Sequence, residues 1–337
     1  MGIKKPLISI VCITYNQENL IAQTIEGFLN QKTRYGFEII IGDDCSTDTT
    51  GGIISVYGEK HPEIIKIISD DHNVGMIQNF VRCVETAEGK YIAYCDGDDY
   101  WIREDKLEKQ VDFLETNVEY GLVYTDYHYF YEASNFYIKN ADRKFRFPET
   151  ANFQNLLFYT QICTSTVLFR KSLYDSFKET EDFNLLKTKY CGDTIMWLNF
   201  SCNIQFKFLP ESTIVRRFYT ESGSRSQLVG KMLQYYKDRF DVSIYFANKT
   251  KCDKIILNKI HEFYYRQCLV YLNRKNETRK AAEFYELLKT YKLNKLSDRL
   301  FRIPYFLFIY DALCKALSRP YYRILLIMRV LSFMKLL

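Results

Sequence analysis

The chain lacks the sequences that the commonest nucleotide binders use to cradle phosphate. Its first β-branched apolar run is followed by Thr14-Tyr15-Asn16-Gln17, where a dinucleotide-binding fold needs Gly-x-Gly-x-x-Gly so that backbone can approach a pyrophosphate. No Walker A sequence occurs anywhere, and no Gly-rich, Arg-containing loop follows the first strand. A nicotinamide dehydrogenase, a P-loop ATPase and a pyrophosphorylase are thereby excluded. The ten cysteines contain no Cys-x-x-Cys pair, so they read as reduced core thiols of a cytosolic protein rather than a disulfide or zinc framework. There are only four histidines, and His72, His128 and His261 stand without partners at metal-ligand spacing. No RNP-like run, zinc-finger spacing or Gly/Arg tract marks a nucleic-acid partner. The uncharged apolar runs fall short of the roughly 20 residues of a membrane span. A strand begins too soon after Lys4 and Lys5 to leave room for a signal peptide's apolar segment, so Asn248-Lys-Thr250 and Asn276-Glu-Thr278 are chance sequons.

What is present is a well-filled chain. Of 337 residues, 47% are hydrophobic and 16% aromatic, which excludes disorder and implies about two domains or one enlarged domain. The net charge of +5 hides an asymmetry: residues 1–125 carry 11 Lys and Arg against 21 Asp and Glu, and the remainder 35 against 20. An acidic first half suits a metal, and a basic second half suits anionic acceptors or an anionic membrane.

Residues 7–13, 37–41, 64–68 and 91–94 are short apolar runs that fit strands buried on both faces. Helical patterns lie between them, carried by Leu20, Ile25 and Phe28, then Ile53, Ile54 and Tyr57, then Ile77, Phe80, Val81 and Val84. Ser46 is the candidate cap of the second helix. Strands alternating with helices predict an α/β fold with an open, mostly parallel twisted sheet and flanking helices. Ligands of such sheets bind beyond the carboxyl ends of the strands. The polar clusters Thr14-Tyr15-Asn16-Gln17, Asp43-Asp44-Cys45-Ser46, His72-Asn73-Val74-Gly75 and Asp96-Gly97-Asp98-Asp99 all fall there.

Farther on, residues 121–130 and 162–170 read as strands, 152–159 as a short helix, and 190–200 as a helix opening at Cys191-Gly192-Asp193. Residues 205–209 and 212–218 read as two strands parted by Pro210-Glu211. Beyond Ser226 the pattern is helical, which places a domain change near residue 225 and a C-terminal helical region over 226–337. In residues 304–337, Lys315, Arg319 and Arg323 recur every fourth residue and share one helical face. That face suits an anionic membrane surface; a helical hairpin packed on its own domain is the other reading.

The tetrapeptide at the end of the fourth run is the most informative stretch. Three carboxylates within four residues repel one another and resist burial, so at a strand mouth they call for a cation, such as a divalent metal holding a phosphate. A solvated acidic turn capping a helix that starts near Arg103, with Asp99 in its first turn, is the alternative.

The segments 10–20, 38–50, 72–80 and 87–101, with a weaker match at 191–198, resemble the inverting family 2 glycosyltransferases of the GT-A fold over about residues 6–225. The resemblance implies a nucleotide-sugar-binding part (1–125) and an acceptor part (126–225). It implies that Thr14 and Tyr15 cradle the base while Asn16, in the same nucleotide-binding loop, fixes its shape; Glu18 reaches ribose or is an ordinary first-turn helix acid. It gives the second Asp of Asp43-Asp44 the base imide, so that Asp44 binds the base and Asp43 forms a turn, although either residue could do either. Asn73 and Gly75 border the nucleotide. Asp98 takes the metal, Mn²⁺ or Mg²⁺, and Asp96 sits on its donor side beside Gly97, ligating metal or ribose. Asp193 matches the family's acidic base, with an N-cap as its alternative, and Trp101 and Trp197 could stack on sugar rings. Arg216 and Arg217, followed by Ser222-Gly223-Ser224-Arg225-Ser226, resemble the segment that closes over the diphosphate, but Phe218 and Tyr219 stand where many relatives carry a metal-completing His.

The expectation is a cytoplasmic enzyme, peripheral at the inner face of the cell membrane. It would transfer one sugar, UDP-linked, to a glycan or lipid-linked acceptor, with no nucleic-acid partner. A non-catalytic scaffold of the same fold, tethering a glycan-assembly complex, is the competing class.

Overall fold

A computed structural model of the chain describes residues 5–140, 151–159, 162–218 and 228–291. These fall into two compact units, one within residues 1–226 and one within 227–337.

The first unit is built on β1 (Ile8–Thr14), every residue of which is buried. It lies between β2 (Phe37–Asp43) and β4 (Tyr91–Asp96), parallel to both, and β2 pairs in parallel with β3 (Ile65–Ser69). The helices α1 (Ile21–Leu29), α2 (Thr50–Lys60) and α3 (Met76–Thr86) make the crossovers, and α4 (Lys106–Thr116) follows β4. Ile10, Ile39 and Ile41 of the sheet are fully buried with Ile25 and Phe28 of α1 and Val111 and Leu114 of α4. Burial of each such side chain is worth about 1.5–3 kcal/mol, and this is what fixes the register that brings four strand ends level.

The rest of the sheet is mixed. A two-residue strand β5 (Tyr100–Trp101), the long β6 (Tyr120–Tyr131), β7 (Phe136–Ile138), β8 (Leu168–Arg170) and β9 (Gln205–Phe218) complete nine strands in the order β3-β2-β1-β4-β8-β6-β9-β5, with β7 on β6. β8 is antiparallel to β4 and β6, while β6 and β9 run parallel. Three short helices, α5 (Phe153–Leu156), α6 (Lys171–Lys178) and α7 (Gly192–Ser201), lie in this half.

The predicted α/β architecture is the observed one, with corrections of detail. Residues 205–218 form one strand, because Pro210 and Glu211 are taken up where the β6 register skips from Leu209 to Ser212. Residues 162–170 are a strand only at Leu168–Arg170; Thr164–Thr166 is a 3-10 turn. Ser46 does not cap α2, since Thr49 holds that position and the Ser46 hydroxyl is spent on Asp43. The helix after the acidic loop starts at Lys106 behind Asp105, so Asp99 is not its cap.

The second unit, as described, is helical. Helix α8 (Val229–Lys249) precedes α9 (Lys254–Arg274), which is capped by the Asp253 carboxylate accepting the Ile256 N–H at 2.8 Å, and α10 (Thr278–Lys289) follows. Leu269, Leu272, Ala281 and Leu288 form its core, and Phe240 stacks on Tyr264 at 4.5 Å. The basic face of Lys315, Arg319 and Arg323 and the whole of 304–337 lie outside the described residues, as does 222–226. Among the described residues no helix is long and apolar enough to cross a membrane.

Candidate active site at the strand ends

The loops after β1 and β2 are tied into one surface. Asn16 adopts a left-handed φ of 52°. Its N–H donates to Ser46 Oγ at 2.9 Å, and its side-chain oxygen accepts the Thr47 N–H at 2.7 Å. The Thr14 hydroxyl donates to Gln17 Oε1 at 2.6 Å. Glu18, expected near ribose, instead closes the start of α2: its carboxylate accepts the Thr49 N–H at 3.0 Å and hydroxyl at 2.6 Å. Tyr15 presents an exposed ring, at 45%.

Asp43 and Asp44 are both buried and divide the work between them. Asp43 Oδ1 accepts the Ser46 N–H at 3.2 Å and the Ser46 hydroxyl, which makes the turn. Asp44 reaches the β3–α3 loop: Oδ1 accepts the Val74 N–H at 2.7 Å, Oδ2 the Gly75 N–H at 3.0 Å, and its carbonyl the Asn73 side-chain amide at 3.0 Å. Gly75, at φ 86°, occupies a conformation that side chains disfavour. Asp44 therefore holds the neighbouring loop with both carboxylate oxygens, and any contact to a base would share them.

The acidic loop after β4 is held from three sides. Gly97 donates its N–H to the Ile13 carbonyl at 3.0 Å, and a Cβ there would lie 2.3 Å from Gln17 Oε1 and 2.9 Å from Thr14 Cβ. Glycine is thus required for the loop to close over β1. From β9, Arg217 donates through Nη1 to the Asp98 carbonyl at 2.7 Å and through Nη2 to Gln23, stacks its guanidinium 4.4 Å over the Tyr100 ring, and gives its backbone N–H to Asp99 Oδ1 at 3.1 Å. From the third side, Ser165 Oγ donates to Asp99 Oδ2 at 2.6 Å and Thr164 Oγ1 to Asp96 Oδ2 at 2.9 Å. Burial, and then the Asp98 charge, push the Asp99 carboxyl well above the usual carboxylate range, against the pull of Arg216.

Carboxylate oxygens of Asp96, Asp98 and Asp99 lie within 4.8 Å of one another. Asp99 is buried with both oxygens occupied, whereas Asp96 and Asp98 are half-buried. Two accessible carboxylates over a third, anchoring one fit a hard divalent cation.

Arg217 corrects an expectation: it is buried and its guanidinium grips the acidic loop, so it does not face a diphosphate. Arg216, on the opposite face of β9, is half-buried and close enough to Asp99 to feel its charge. Trp101 and Trp197 are core residues rather than sugar platforms. Trp101 packs edge-on to Phe28 and donates to the Ser165 carbonyl at 3.2 Å; Trp197 packs on Phe169 and Phe200. Asp193 is not the N-cap of α7, a place taken by Cys191; it sits half-buried in the first turn with Oδ1 accepting the Thr194 N–H at 2.7 Å. A Cβ on the adjacent Gly192 would lie 3.6 Å from the Ile77 side chain, so the start of α7 meets the start of α3 at this same end of the sheet.

Sequence reading missed the residues that grip the loop: Gln17, Tyr94, Thr164, Ser165 and, in that capacity, Arg217. The one available signal was three successive hydroxyls, Thr164-Ser165-Thr166, inside an otherwise apolar segment. It also missed Lys106, 1% exposed, whose Nζ donates to Gln110 Oε1 at 2.8 Å and lies 4.2 Å over the Trp101 ring. Burial lowers this lysine from its ordinary value near 10.5 to about 7, against smaller opposing effects of Cys95 and Cys163. Between those values the unfolded chain holds a proton that the folded one has lost, so stability rises with pH through the window. Lys106→Met should flatten that rise in a plot of Tm against pH from 7 to 10.

The fold is that of the GT-A type. The chain belongs to glycosyl transferase family 2, whose family model matches residues 9–177. It is 43% identical over 112 residues to the uncharacterized protein Rv1520 of Mycobacterium tuberculosis, a match covering 33% of this chain and 32% of that one. The chain thus spans about a third of the length of its mycobacterial relatives. It is 33% identical over 166 residues to the UDP-Glc:alpha-D-GlcNAc-diphosphoundecaprenol beta-1,3-glucosyltransferase WfaP of Escherichia coli (49% of this chain, 61% of that one). It is 29% identical over 270 residues to the putative glycosyltransferase EpsE of Bacillus subtilis (76% and 94%). Among solved structures it resembles the mannosyltransferase PcManGT of Pyrobaculum calidifontis, in complex with GDP-Man and Mn²⁺, with TM-score 0.59, 15% identity and coverage of 95% and 83%. It also resembles S. aureus TarS 1-349 in complex with UDP-GlcNAc, with TM-score 0.54, 16% identity and coverage of 87% and 78%.

Proposed function

We propose that the chain is a metal-dependent, inverting glycosyltransferase. It transfers one sugar from a UDP-sugar to a hydroxyl of a glycan or lipid-linked acceptor in cell-surface polysaccharide biosynthesis. The observation that carries the reading is the acidic loop: two accessible carboxylates, Asp96 and Asp98, held at a parallel-sheet switch point over a buried Asp99. Asp98, with Asp96, would hold Mn²⁺ or Mg²⁺, which when bound offsets the charge of a departing diphosphate. Tyr15 and the Asn16–Ser46 junction form the base side, with Thr14, Asp44, Asn73 and Gly75 behind it, and Gly97 lets the donor approach β1. Arg216 is the cation on the diphosphate side.

Asp193 takes the proton of the acceptor hydroxyl as its oxygen bonds to the anomeric carbon. The bond from that carbon to the diphosphate oxygen breaks on the opposite face, which inverts the centre. A UDP-sugar donor is supported by the UDP-Glc donor of WfaP and by the UDP-GlcNAc ligand of TarS, and a divalent metal by the Mn²⁺ of PcManGT. The diphosphoundecaprenol acceptor of WfaP supports a lipid-linked acceptor and, with it, residence at the inner face of the cell membrane, where residues 304–337 would lie on the anionic surface.

Calorimetry tests the central claim. UDP should bind in the presence of Mn²⁺ and lose most of its affinity in excess chelator. Absence of any metal-dependent nucleotide binding would overturn the reading in favour of a non-catalytic scaffold. A panel of nucleotide sugars assayed for metal-dependent hydrolysis would then name the donor.

A further inference from the structure

The 3-10 turn Thr164–Thr166 stands immediately before β8 and touches the acidic loop through Thr164 and Ser165. The Thr164 hydroxyl donates to Asp96 Oδ2 at 2.9 Å, while the Tyr94 hydroxyl donates to Asp96 Oδ1 at 2.5 Å. The two oxygens of one carboxylate are thereby held by two hydroxyls from different strands' ends, which fixes the torsion of the side chain. Ser165 Oγ donates to Asp99 Oδ2 at 2.6 Å and accepts the Asp96 N–H at 3.1 Å.

The turn is itself tied to the core. Its Ser165 carbonyl accepts the Trp101 indole N–H at 3.2 Å, and its Thr166 carbonyl accepts Gln110 Nε2 at 2.9 Å. Ser165 and Thr166 are fully buried, whereas Thr164 is only half-buried. One end of the turn is therefore structural, and the other presents a hydroxyl to the loop.

We propose that Thr164 is a positioning residue of the donor site, which orients the Asp96 carboxylate for a divalent cation and the diphosphate it accompanies, with Ser165 fixing the spacing between Asp96 and Asp99. The inference rests on the reading of the acidic loop as a metal site. A carboxylate that must rotate freely loses entropy on ligation, and hydrogen-bonded partners behind metal ligands commonly contribute 10- to 100-fold, roughly, to affinity. Thr164 supplies such a partner without touching substrate. Because its methyl group and volume are kept by valine, Thr164→Val removes the donor alone.

The test uses the full chain with saturating UDP and titrates Mn²⁺, reading free Mn²⁺ by electron paramagnetic resonance. Thr164→Val should bind Mn²⁺ at least about 10-fold more weakly than wild type with an unchanged Tm, and Thr164→Ser should recover most of the loss. A merely structural threonine would shift Tm and leave Mn²⁺ affinity alone. If wild type binds Mn²⁺ with UDP and Thr164→Val binds it equally well, this inference is overturned while the metal-dependent reading stands. If wild type itself takes up no Mn²⁺ with UDP, the reading fails and the inference falls with it.

Discussion

Asp98→Ala should remove sugar transfer while leaving the chain folded. Its kcat/KM is expected to fall by at least about 10³-fold, since a metal clamp on a departing diphosphate supplies several kcal/mol and each 1.36 kcal/mol is about tenfold in rate. The fold should survive because Arg217 grips the loop through the Asp98 carbonyl, at 2.7 Å, and alanine keeps that carbonyl. Metal-dependent UDP binding should vanish with activity. Asp99→Ala is the contrasting control. Its carboxylate accepts the Ser165 hydroxyl and the Arg217 N–H, so its loss strands two buried donors at a cost of about 1–3 kcal/mol each, and Tm should drop. An Asp98→Ala protein with wild-type turnover would sink the metal assignment; one that fails to fold would show that the loop needs this carboxylate as a structural group.

The half of the fold that places these acids was legible because burial on both faces leaves little choice of residue. Ile8–Thr14 and Phe37–Asp43 are nearly continuous apolar runs ending abruptly in polar clusters, and that contrast marks both the strand and its carboxyl end. The mixed half was harder to read. Pro210 has no N–H to give a ladder and so argued for a strand break, but the skip in the β6 register takes up Pro210 and Glu211 and lets β9 continue. The hydroxyls of Thr164, Ser165 and Thr166 compete for backbone partners, and Thr166 Oγ1 donates to the Cys163 carbonyl at 2.7 Å. The segment therefore turns where hydropathy suggested strand.

At the site itself, alternation along a strand sends consecutive residues to opposite faces. Arg216 and Arg217 could never both face one diphosphate, and the pattern held that restriction from the start. Which of the two is spent on the acidic loop depends on where Tyr100 and Gln23 stand, information that no local stretch contains. The same holds for Asp43 and Asp44. Only the approach of Val74 and Gly75 from a third strand's loop decides that Asp43 makes the turn and Asp44 the clasp.

Asp193→Asn is expected to separate chemistry from binding. Asparagine retains an Oδ1 that can accept the Thr194 N–H, the bond of 2.7 Å that Asp193 Oδ1 accepts in the first turn of α7, and it keeps the side-chain volume. The fold and the affinity for UDP with Mn²⁺ should therefore match wild type. What asparagine cannot do is take a proton. General-base catalysis contributes about 10²–10⁴-fold, so kcat should fall by that factor with little change in donor KM. An acceptor whose attacking hydroxyl is already more acidic should lose less, because it relies less on the base. Wild-type kcat in Asp193→Asn would remove Asp193 from the reaction and direct the search for a base to another acid at the same strand ends. A parallel fall in UDP affinity would instead make Asp193 a donor-side residue.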